Sequence, residues 1–417
     1  DILQEKSQER KMINYTIRLL TIVMLWGCIT FRYVGNAFSI AMIAFALLAC
    51  IILLQKKGKS FYRIDGDLGK ALISLYGTIL IVSLFQENAV KNIVDSAYGS
   101  LTLFFITMPL WMVLYVGHQY DIRKWIIYVT YGNMYAFSLY GLFKYFSQNE
   151  SRLSSFYGSP PEVGMLLDLF IPFTISFAML QKQHLRWKVA SLILIVLEVL
   201  SVVLTETRGS YMALCAGIIV SSVMYIWMNR NCISLIKKLI LGITVILFCF
   251  AFGGYSYHLS VESESRMVGG ERLLMWDSSY HMWEDHKLLG IGFSEWREAY
   301  NNPESKYHPL EGKETTNVMP HNIYIYFAAT GGIISLIGLC GYIFFMFRYL
   351  LRKIHMQKNN PMNWAMLSMF VALMVHGLVD GTLISKHIGR IFYLMMGVGI
   401  IFTEIMPAKI HRKSEHV

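Results

Sequence analysis

The chain has 417 residues, of which 55% are hydrophobic and only 15% are charged, and its formal net charge is +10 at pH 7. Its mean hydropathy of +0.45 and its recurring apolar runs of 17 to 20 residues exclude a soluble globular protein. No domain concentrates the basic residues beside stacking aromatics, which excludes a nucleic-acid-binding surface. We therefore predict an all-α integral membrane protein.

The apolar runs are predicted to be helices because lipid forces backbone hydrogen bonds to close within each segment. The first run lacks the small-residue cleavage site of a signal peptide, so we interpret it as a retained helix. We predict about twelve transmembrane helices, in chain order 13–31, 36–54, 68–85, 97–117, 125–147, 162–180, 188–204, 210–228, 237–256, 321–347, 363–379 and 388–406.

The lysine and arginine residues are divided unevenly between the two sides of this predicted bundle. If the N-terminus is cytoplasmic, the inner loops carry 22 of them and the short outer loops carry five. The positive-inside rule then predicts that both termini are cytoplasmic. The basic inner loops favour contact with anionic membrane lipids.

Some sixty largely polar residues separate the ninth and tenth predicted helices. This long loop, residues 257–320, contains eleven acidic and six basic residues, and the predicted topology makes it extracytoplasmic. All six cysteines fall in spans or on the cytoplasmic side, so the loop has neither a disulfide nor a thiolate metal site. We therefore divide the chain into helices 1–9 (1–256), a loop domain (257–320), and helices 10–12 with a cytoplasmic tail (321–417).

Arg208 is the first candidate for binding an anion. It lies in Thr205-Glu206-Thr207-Arg208-Gly209-Ser210, where the eighth predicted helix begins on the outer side. Free backbone N–H groups at a helix start, an adjacent guanidinium and a glycine that permits close approach together suit a phosphate. The alternative is an interfacial arginine that reaches to lipid headgroups and pairs with Glu206.

A second arginine, Arg272, opens an amphipathic segment in the long loop. The residues that form its aromatic face recur at steps of three and four: Leu273, Trp276, Tyr280, Trp283 and Lys287. This face predicts a helix that lies in the membrane interface as a lid over the site. Alternatively, the same face packs on the helical bundle, and either arrangement keeps Arg272 near the outer headgroup plane.

His321 is the candidate base. It follows Pro320 and precedes Asn322 where the chain re-enters the membrane. Proline suits the first turn of a helix, so we predict that His321 lies in that turn, where the positive helix end keeps its ring neutral. A neutral imidazole can accept a proton from a hydroxyl group. The alternative is a structural interfacial histidine.

Two further ionisable pairs are weaker candidates. His376 and Asp380 are four residues apart near the outer end of a predicted span, where they are either functional or a hydrogen-bonded pair that satisfies two buried groups. The carboxylates of Asp65-Gly66-Asp67 precede a span in a basic loop, which favours helix capping over metal binding.

A zinc site is not predicted in the long loop. His281 and His286 are five residues apart, a spacing that does not place both imidazoles on one helix face.

Several of these motifs together resemble the O-antigen ligase and polymerase superfamily. The resemblance is clear over about residues 200 to 345. It is carried by the Thr205 to Ser210 run, Arg272 with Trp276, Leu289-Gly290-Ile291-Gly292-Phe293 leading to Tyr300, Pro320-His321-Asn322, and Gly331-Gly332-Ile333. It implies a fold similar to the GT-C glycosyltransferases, located in the bacterial inner membrane.

The resemblance also implies roles for individual residues. Arg208 and Arg272 would bind the diphosphate of an undecaprenyl-diphosphate-linked glycan, and His321 would activate the acceptor hydroxyl. The candidate substrate-binding residues that complete the predicted site are Asn322, Arg152, Tyr300, His376 and Asp380. Residues 154–164 depart from the family's Gly-Asn-Pro-Asn-like stretch, which weakens the case for Arg152.

The function implied is transfer of a glycan from undecaprenyl diphosphate to lipid A-core, with inversion and without a metal or cofactor. Many other GT-C enzymes carry catalytic acids in the first outer loop, whereas residues 32–36 here contain no carboxylate. The alternatives are an O-antigen polymerase that uses a second lipid-linked repeat as acceptor, and a lipid or polysaccharide transporter. No convincing internal repeat of the transporter kind is found.

Overall fold

The computed structural model describes residues 2–30, 36–55, 63–96, 98–156, 159–180, 184–230, 234–262, 268–309 and 316–404. Side chains at 2–7, 256–262, 268 and 269 are also not described. Several residues used in the predictions lie outside these ranges, namely the first outer loop at 32–35 and, among the basic residues used for the topology, Lys56, Lys57, Lys59, Lys182, Lys409, Arg412 and Lys413.

The described part of the chain is all-helical and contains no strand. In chain order its helices are α1 (Ile2–Thr30), α2 (Ala37–Leu54), α3 (Gly66–Phe85), α4 (Ala89–Val94), α5 (Ser100–Gln119), α6 (Arg123–Ser147), α7 (Pro160–Ala178), α8 (Leu185–Thr205), α9 (Arg208–Met228), α10 (Leu235–Glu262), α11 (Val268–Asp285), α12 (Trp296–Asn301), α13 (Ile323–Met356), α14 (Pro361–His376) and α15 (Lys386–Thr403). The predicted all-α class is therefore confirmed, whereas the likeness to GT-C glycosyltransferases stays a prediction.

A helix is present at each of the twelve predicted spans. Nine helices within the described ranges are long and apolar enough to cross a membrane. The other three are α6, α14 and α15. Of these, α14 is apolar but has only 16 residues. The chain is a multi-pass membrane protein, and the count of twelve crossings stays a prediction.

The helices that carry the candidate residues pack directly on one another. Helix α14 lies between α7, α9 and α15, while α8 packs on α7. Helix α13 packs on α3 through small residues, because any side chain at Gly338 or Gly341 would collide with Ser74 or Thr78 of α3. Such close packing of small residues is a main source of association between helices in lipid.

The long loop folds back on the beginning of α13. Helix α11 packs on α13, and the segment after it forms backbone hydrogen bonds from Ile291 N–H to Ala329 O (2.9 Å) and from Gly292 N–H to Thr330 O (3.0 Å). Gly332 interrupts α13 with φ +61°. Only glycine adopts this conformation readily, and a side chain there would also collide with the backbone of Leu288.

The two ends of the bundle differ in character. We call the end from which residues 257–320 leave the loop end. At the opposite end, Asp65 caps α3 by accepting the Asp67 N–H (2.9 Å), and both carboxylates pair with Arg352 of α13. The capping role predicted for this pair is confirmed.

Candidate functional site

Three turns meet at the loop end of the bundle. They are residues 206–207 between α8 and α9, residues 320–322 before α13, and residues 377–380 after α14. The third turn contacts the start of each helix that follows the other two turns, since Ile323 N–H of α13 donates to Gly377 O (2.8 Å) and Gly209 of α9 lies against Val379. The first and second turns also contain two of the three non-glycine residues with positive φ in the described ranges, Glu206 and His321, both at +49°. Left-handed backbone at such residues costs about 1–3 kcal/mol and is concentrated at functional sites.

His321 forms a hydrogen bond with Asp380 in the third turn. The distance from His321 Nδ1 to Asp380 Oδ1 is 3.0 Å, and the two side chains are 34% and 13% exposed. A carboxylate partner at Nδ1 places the proton of a neutral ring on that nitrogen and leaves Nε2 as the acceptor. The imidazole can therefore be reached from outside, and its tautomer suits a base.

Asp380 is held in its ionised form. Burial alone would raise its pKa, but the hydrogen bond from His321 and the Gly381 N–H (2.7 Å) lower the pKa below the ordinary value. This pair therefore contributes stability above the ordinary aspartate pKa and loses it as the pH falls through the lowered value.

The prediction that His321 lies in the first helical turn is wrong. Helix α13 begins at Ile323, and Asn322 is its N-cap: Asn322 Oδ1 accepts the N–H groups of Tyr324 (2.9 Å) and Ile325 (3.1 Å). Asparagine is a strongly preferred N-cap, so the helix begins after Asn322 and Pro320 does not occupy its first position. Asn322 also donates through Nδ2 to Leu378 O (2.8 Å), so it joins α13 to the third turn.

Arg208 is the first residue of α9, and its side chain is exposed. Its neighbour Gly209 packs tightly on the third turn, because a Cβ atom there would lie 2.8 Å from His376 Nε2 and 2.9 Å from Val379. Glycine at 209 thus lets the start of α9, and Arg208 with it, approach the turn that holds Asp380.

Arg152 supports the first turn. Its Nε donates to Thr205 O (2.9 Å), and its Nη2 donates to Glu206 O (3.2 Å) and to Thr207 Oγ1 (3.3 Å). A guanidinium at the end of α8 satisfies carbonyl groups that have no partner within the helix. The contacts show a residue that positions the turn before Arg208.

Helix α11 is joined to the second turn. Trp276 Nε1 donates to Pro320 O (2.9 Å), directly before His321. Arg272 lies one helical turn before Trp276, so the two project from the same side of α11. Hydrogen bonds and close contacts thus connect the elements that carry Arg208, His321 and Arg272.

The aromatic face predicted for this helix packs on the bundle only in part, through the half-buried Trp276. Helix α11 buries Met275 and Met282, with Ser278 and Ser279, while Leu273 and Tyr280 are exposed. The face that packs on α13 is therefore rotated by about one residue from the prediction. Placement of the exposed face at a membrane interface stays a prediction.

Tyr300 is placed in the interior of the long loop. It is 1% exposed and stacks on Trp296 with ring centroids 4.9 Å apart. Its backbone carbonyl lies 2.8 Å from His308 Nδ1. A substrate would reach the Tyr300 side chain only after a rearrangement of the loop.

His376 does not pair with Asp380 as its spacing suggested. Helix α14 ends at His376, so Asp380 lies in the following turn and not one turn further along the same helix. His376 Nδ1 instead bonds to Asp168 Oδ2 of α7 (2.6 Å), and both side chains are 2% exposed. Asp168 is not among the site residues predicted from the sequence, although an acidic residue within a predicted span is by itself a signal.

Among the residues that the structure describes, no three His, Cys, Asp or Glu side chains are arranged to hold a metal ion. His281 faces Asp277 and Glu284 on the exposed surface of α11, at 3.8 and 3.6 Å.

The fold and the site define a polytopic helical membrane protein with a reachable histidine–aspartate pair at one end of its bundle. Residues 190–340 match the family model described as O-antigen ligase, and this match supports membership of the chain in the O-antigen ligase and polymerase family. The matched part includes Arg208, Arg272 and His321, whereas Asp168 and Asp380 lie outside it. Members of this family are glycosyltransferase-like enzymes that act on lipid-linked glycans. No curated protein matches the chain significantly.

Proposed function

We propose that this chain is an O-antigen ligase of the bacterial inner membrane. It transfers a glycan from undecaprenyl diphosphate to a sugar hydroxyl of lipid A-core, with both termini in the cytoplasm and the long loop in the periplasm. The observation that carries this proposal is the reachable His321 ring bonded to Asp380 at the loop end.

The chemical step is a single displacement with His321 as the base. The acceptor oxygen forms a bond to the anomeric carbon while the bond from that carbon to the phosphate oxygen breaks, and the electron pair leaves with undecaprenyl diphosphate. The hydroxyl proton passes to His321 Nε2, and Asp380 stabilises the resulting imidazolium. Attack opposite the leaving group predicts inversion of configuration.

The departing diphosphate requires positive charge, for which Arg208 and Arg272 are the candidates. Arg208 combines a guanidinium with the N-terminus of α9, which favours anions, and Arg272 lies on the helix that is bonded to Pro320. The approach of Gly209 to the third turn supports a shared site. Arg152 stabilises the first turn, which directly precedes Arg208.

This arrangement predicts activity without a divalent cation, because the two arginines supply the charge that a metal ion would otherwise provide. The purified chain, reconstituted with a lipid-linked glycan, should keep its transfer rate in excess EDTA. Complete loss in EDTA, restored by added Mg²⁺ or Mn²⁺, would contradict the metal-free mechanism.

The family match supports a ligase and a polymerase equally. The identity of the acceptor distinguishes the two activities. In a reconstituted assay with a lipid-linked repeat as donor, we expect label to appear on lipid A-core and not on a second lipid-linked repeat. In cells, deletion of a ligase leaves long polymer on undecaprenyl diphosphate, whereas deletion of a polymerase leaves lipopolysaccharide capped with one repeat. The second pattern would assign this chain as a polymerase.

A further inference from the structure

A polar cavity lies at the loop end, apart from the histidine–aspartate pair. It has a volume of about 710 Å³ and is bounded on one side by the residues that follow α3 (85–88) and on the other by long-loop residues between 284 and 307. This volume is in the range of sites that hold small ligands. None of the residues assigned above to the transfer reaction lines it.

The walls of the cavity are rich in carboxylates. Five acidic residues line it, against one lysine, Lys287: they are Glu87, Glu284, Asp285, Glu295 and Glu298. Two lysines outside the lining neutralise part of this charge: Lys91 bridges Glu295 (2.9 Å) and Glu298 (3.0 Å), and Lys306 pairs with Asp285 (2.8 Å). The remaining charge is negative, which disfavours a phosphorylated or otherwise anionic ligand and favours one that donates hydrogen bonds.

One buried acceptor in the wall has no partner among the residues that the structure describes. Gln86 is 7% exposed, and its Nε2 donates to Leu289 O (2.5 Å) and to Thr330 O (2.8 Å). Those two bonds use its donors and leave Oε1 without a hydrogen bond. A buried acceptor that stays unsatisfied costs about 1–3 kcal/mol, so a ligand hydroxyl or amine that reached it would be favoured.

The other lining groups suit a sugar. Asn88 and Asn302 offer amides, and the rings of Phe85 and Tyr307 offer flat apolar surfaces. Hydroxyl-rich rings combine polar edges with apolar faces, and this lining presents both kinds of partner.

A short helical segment, the part of α13 that precedes Gly332, separates the cavity from His321. The cavity wall includes Leu289 to Ile291, and this stretch bonds to α13 at Ala329 and Thr330. Helix α13 runs from Ile323 to its interruption at Gly332, and nine residues of helix are about 13 Å long. A glycan of several sugars could therefore contact both regions.

We propose that this cavity binds a segment of the glycan substrate that carries no negative charge, that is, neutral or amino sugars some distance from the reacting bond. The proposal rests on the proposed function in taking a glycan as the substrate. It adds a specificity site remote from the transfer site.

The test is direct binding to the full chain in lipid nanodiscs, measured by saturation-transfer NMR and by titration calorimetry. The probes are a glucosamine tetramer, its fully N-acetylated form, and the same N-acetylated tetramer phosphorylated at the 6-hydroxyls. We expect both unphosphorylated tetramers to bind at least about tenfold more tightly than the phosphorylated one, a difference of about 1.4 kcal/mol.

The decisive variants reverse one exposed charge. Gln86→Leu would also remove two hydrogen bonds to the backbone, so it is not the first choice. Glu87 is exposed and lines the cavity, whereas Glu304 is an exposed residue of the long loop that does not line it. Glu87→Lys should weaken binding of the glucosamine tetramer about threefold or more. Glu304→Lys, the matched control, should leave binding unchanged.

Three outcomes would overturn the proposal: no saturation by either unphosphorylated tetramer, equal binding of the phosphorylated tetramer, or equal loss in the two variants. His321→Ala distinguishes this failure from that of the proposed function. If that variant loses transfer while no tetramer binds, the cavity proposal fails and the transfer mechanism stands. If the tetramers bind as expected but His321→Ala retains full transfer, the transfer mechanism fails.

Discussion

In the part of the chain that the structure describes, two histidine–aspartate pairs at the loop end are hydrogen-bonded, and they differ mainly in how far solvent can reach them. In both, a histidine Nδ1 faces a carboxylate, at 3.0 Å for His321 with Asp380 and at 2.6 Å for His376 with Asp168. The first histidine is 34% exposed and the second 2%. The same kind of hydrogen bond therefore has two roles. In the first pair it leaves a ring nitrogen that a substrate can reach, and in the second it joins α14 to α7.

Removing the reachable imidazole should have the largest effect. His321→Ala deletes the base without opening a buried cavity, and general base catalysis contributes about 10²–10⁴-fold to a rate. We expect a loss of that size in kcat for transfer from the lipid-linked donor, with normal insertion in the membrane.

The matched control is His281→Ala, which removes another histidine from the loop end that lies on the exposed surface of α11. Full transfer by His321→Ala, or an equal loss in both variants, would refute the assignment of His321 as the base.

The two arginines should show the next largest effect. Arg208→Lys and Arg272→Lys keep the charge but lose the planar two-pronged contact with phosphate, so we expect a loss of about 10–100-fold in kcat/KM for the donor. The alanine variants should lose about 10²–10³-fold. Arg297→Lys, an exposed arginine of the long loop, serves as the control and should behave as the parent chain. Unchanged donor kinetics in both lysine variants would contradict diphosphate binding.

The buried pair should affect stability more than chemistry. Asp168→Asn replaces the carboxylate that bonds to His376, where neither side chain meets solvent, by an amide, and loss of a hydrogen bond to a charged group costs about 1.5–3 kcal/mol. We expect a lower Tm in detergent and a nearly normal rate for the protein that remains folded. Asp277→Asn, on the exposed surface of α11, should leave the Tm unchanged. A normal Tm together with a large fall in kcat would instead assign the buried pair to the reaction.

Sequence periodicity predicted the helices well, because apolar length alone determines where a chain can cross lipid. It predicted the capping role of Asp65 for a similar reason, since a cap acts on residues two or three positions away. The partners of His321 and His376 could not be predicted in this way. Asp380 and Asp168 come from other turns and helices, and the i,i+4 spacing of His376 and Asp380 suggested a pair that the end of α14 prevents.

Local rules also failed where two of them competed. Pro320 suits a first helical turn, but Asn322 is the stronger start signal, and its two bonds to backbone N–H groups set the boundary. Similarly, the spacing of α11 predicts a single aromatic face, whereas the most deeply buried apolar residues of the helix are Met275 and Met282. Both outcomes depend on contacts with α13 and with the third turn, which the periodicity of one segment does not contain.

The most direct test of the account is whether His321 and Asp380 act as one unit. The measurement is the transfer rate, kcat, of the reconstituted chain for His321→Ala, Asp380→Asn and the double variant. Because Asp380 is assigned to act through the imidazole, the double variant should be no slower than His321→Ala alone. If the two losses multiply, Asp380 acts independently of His321, and the proposed base pair is contradicted.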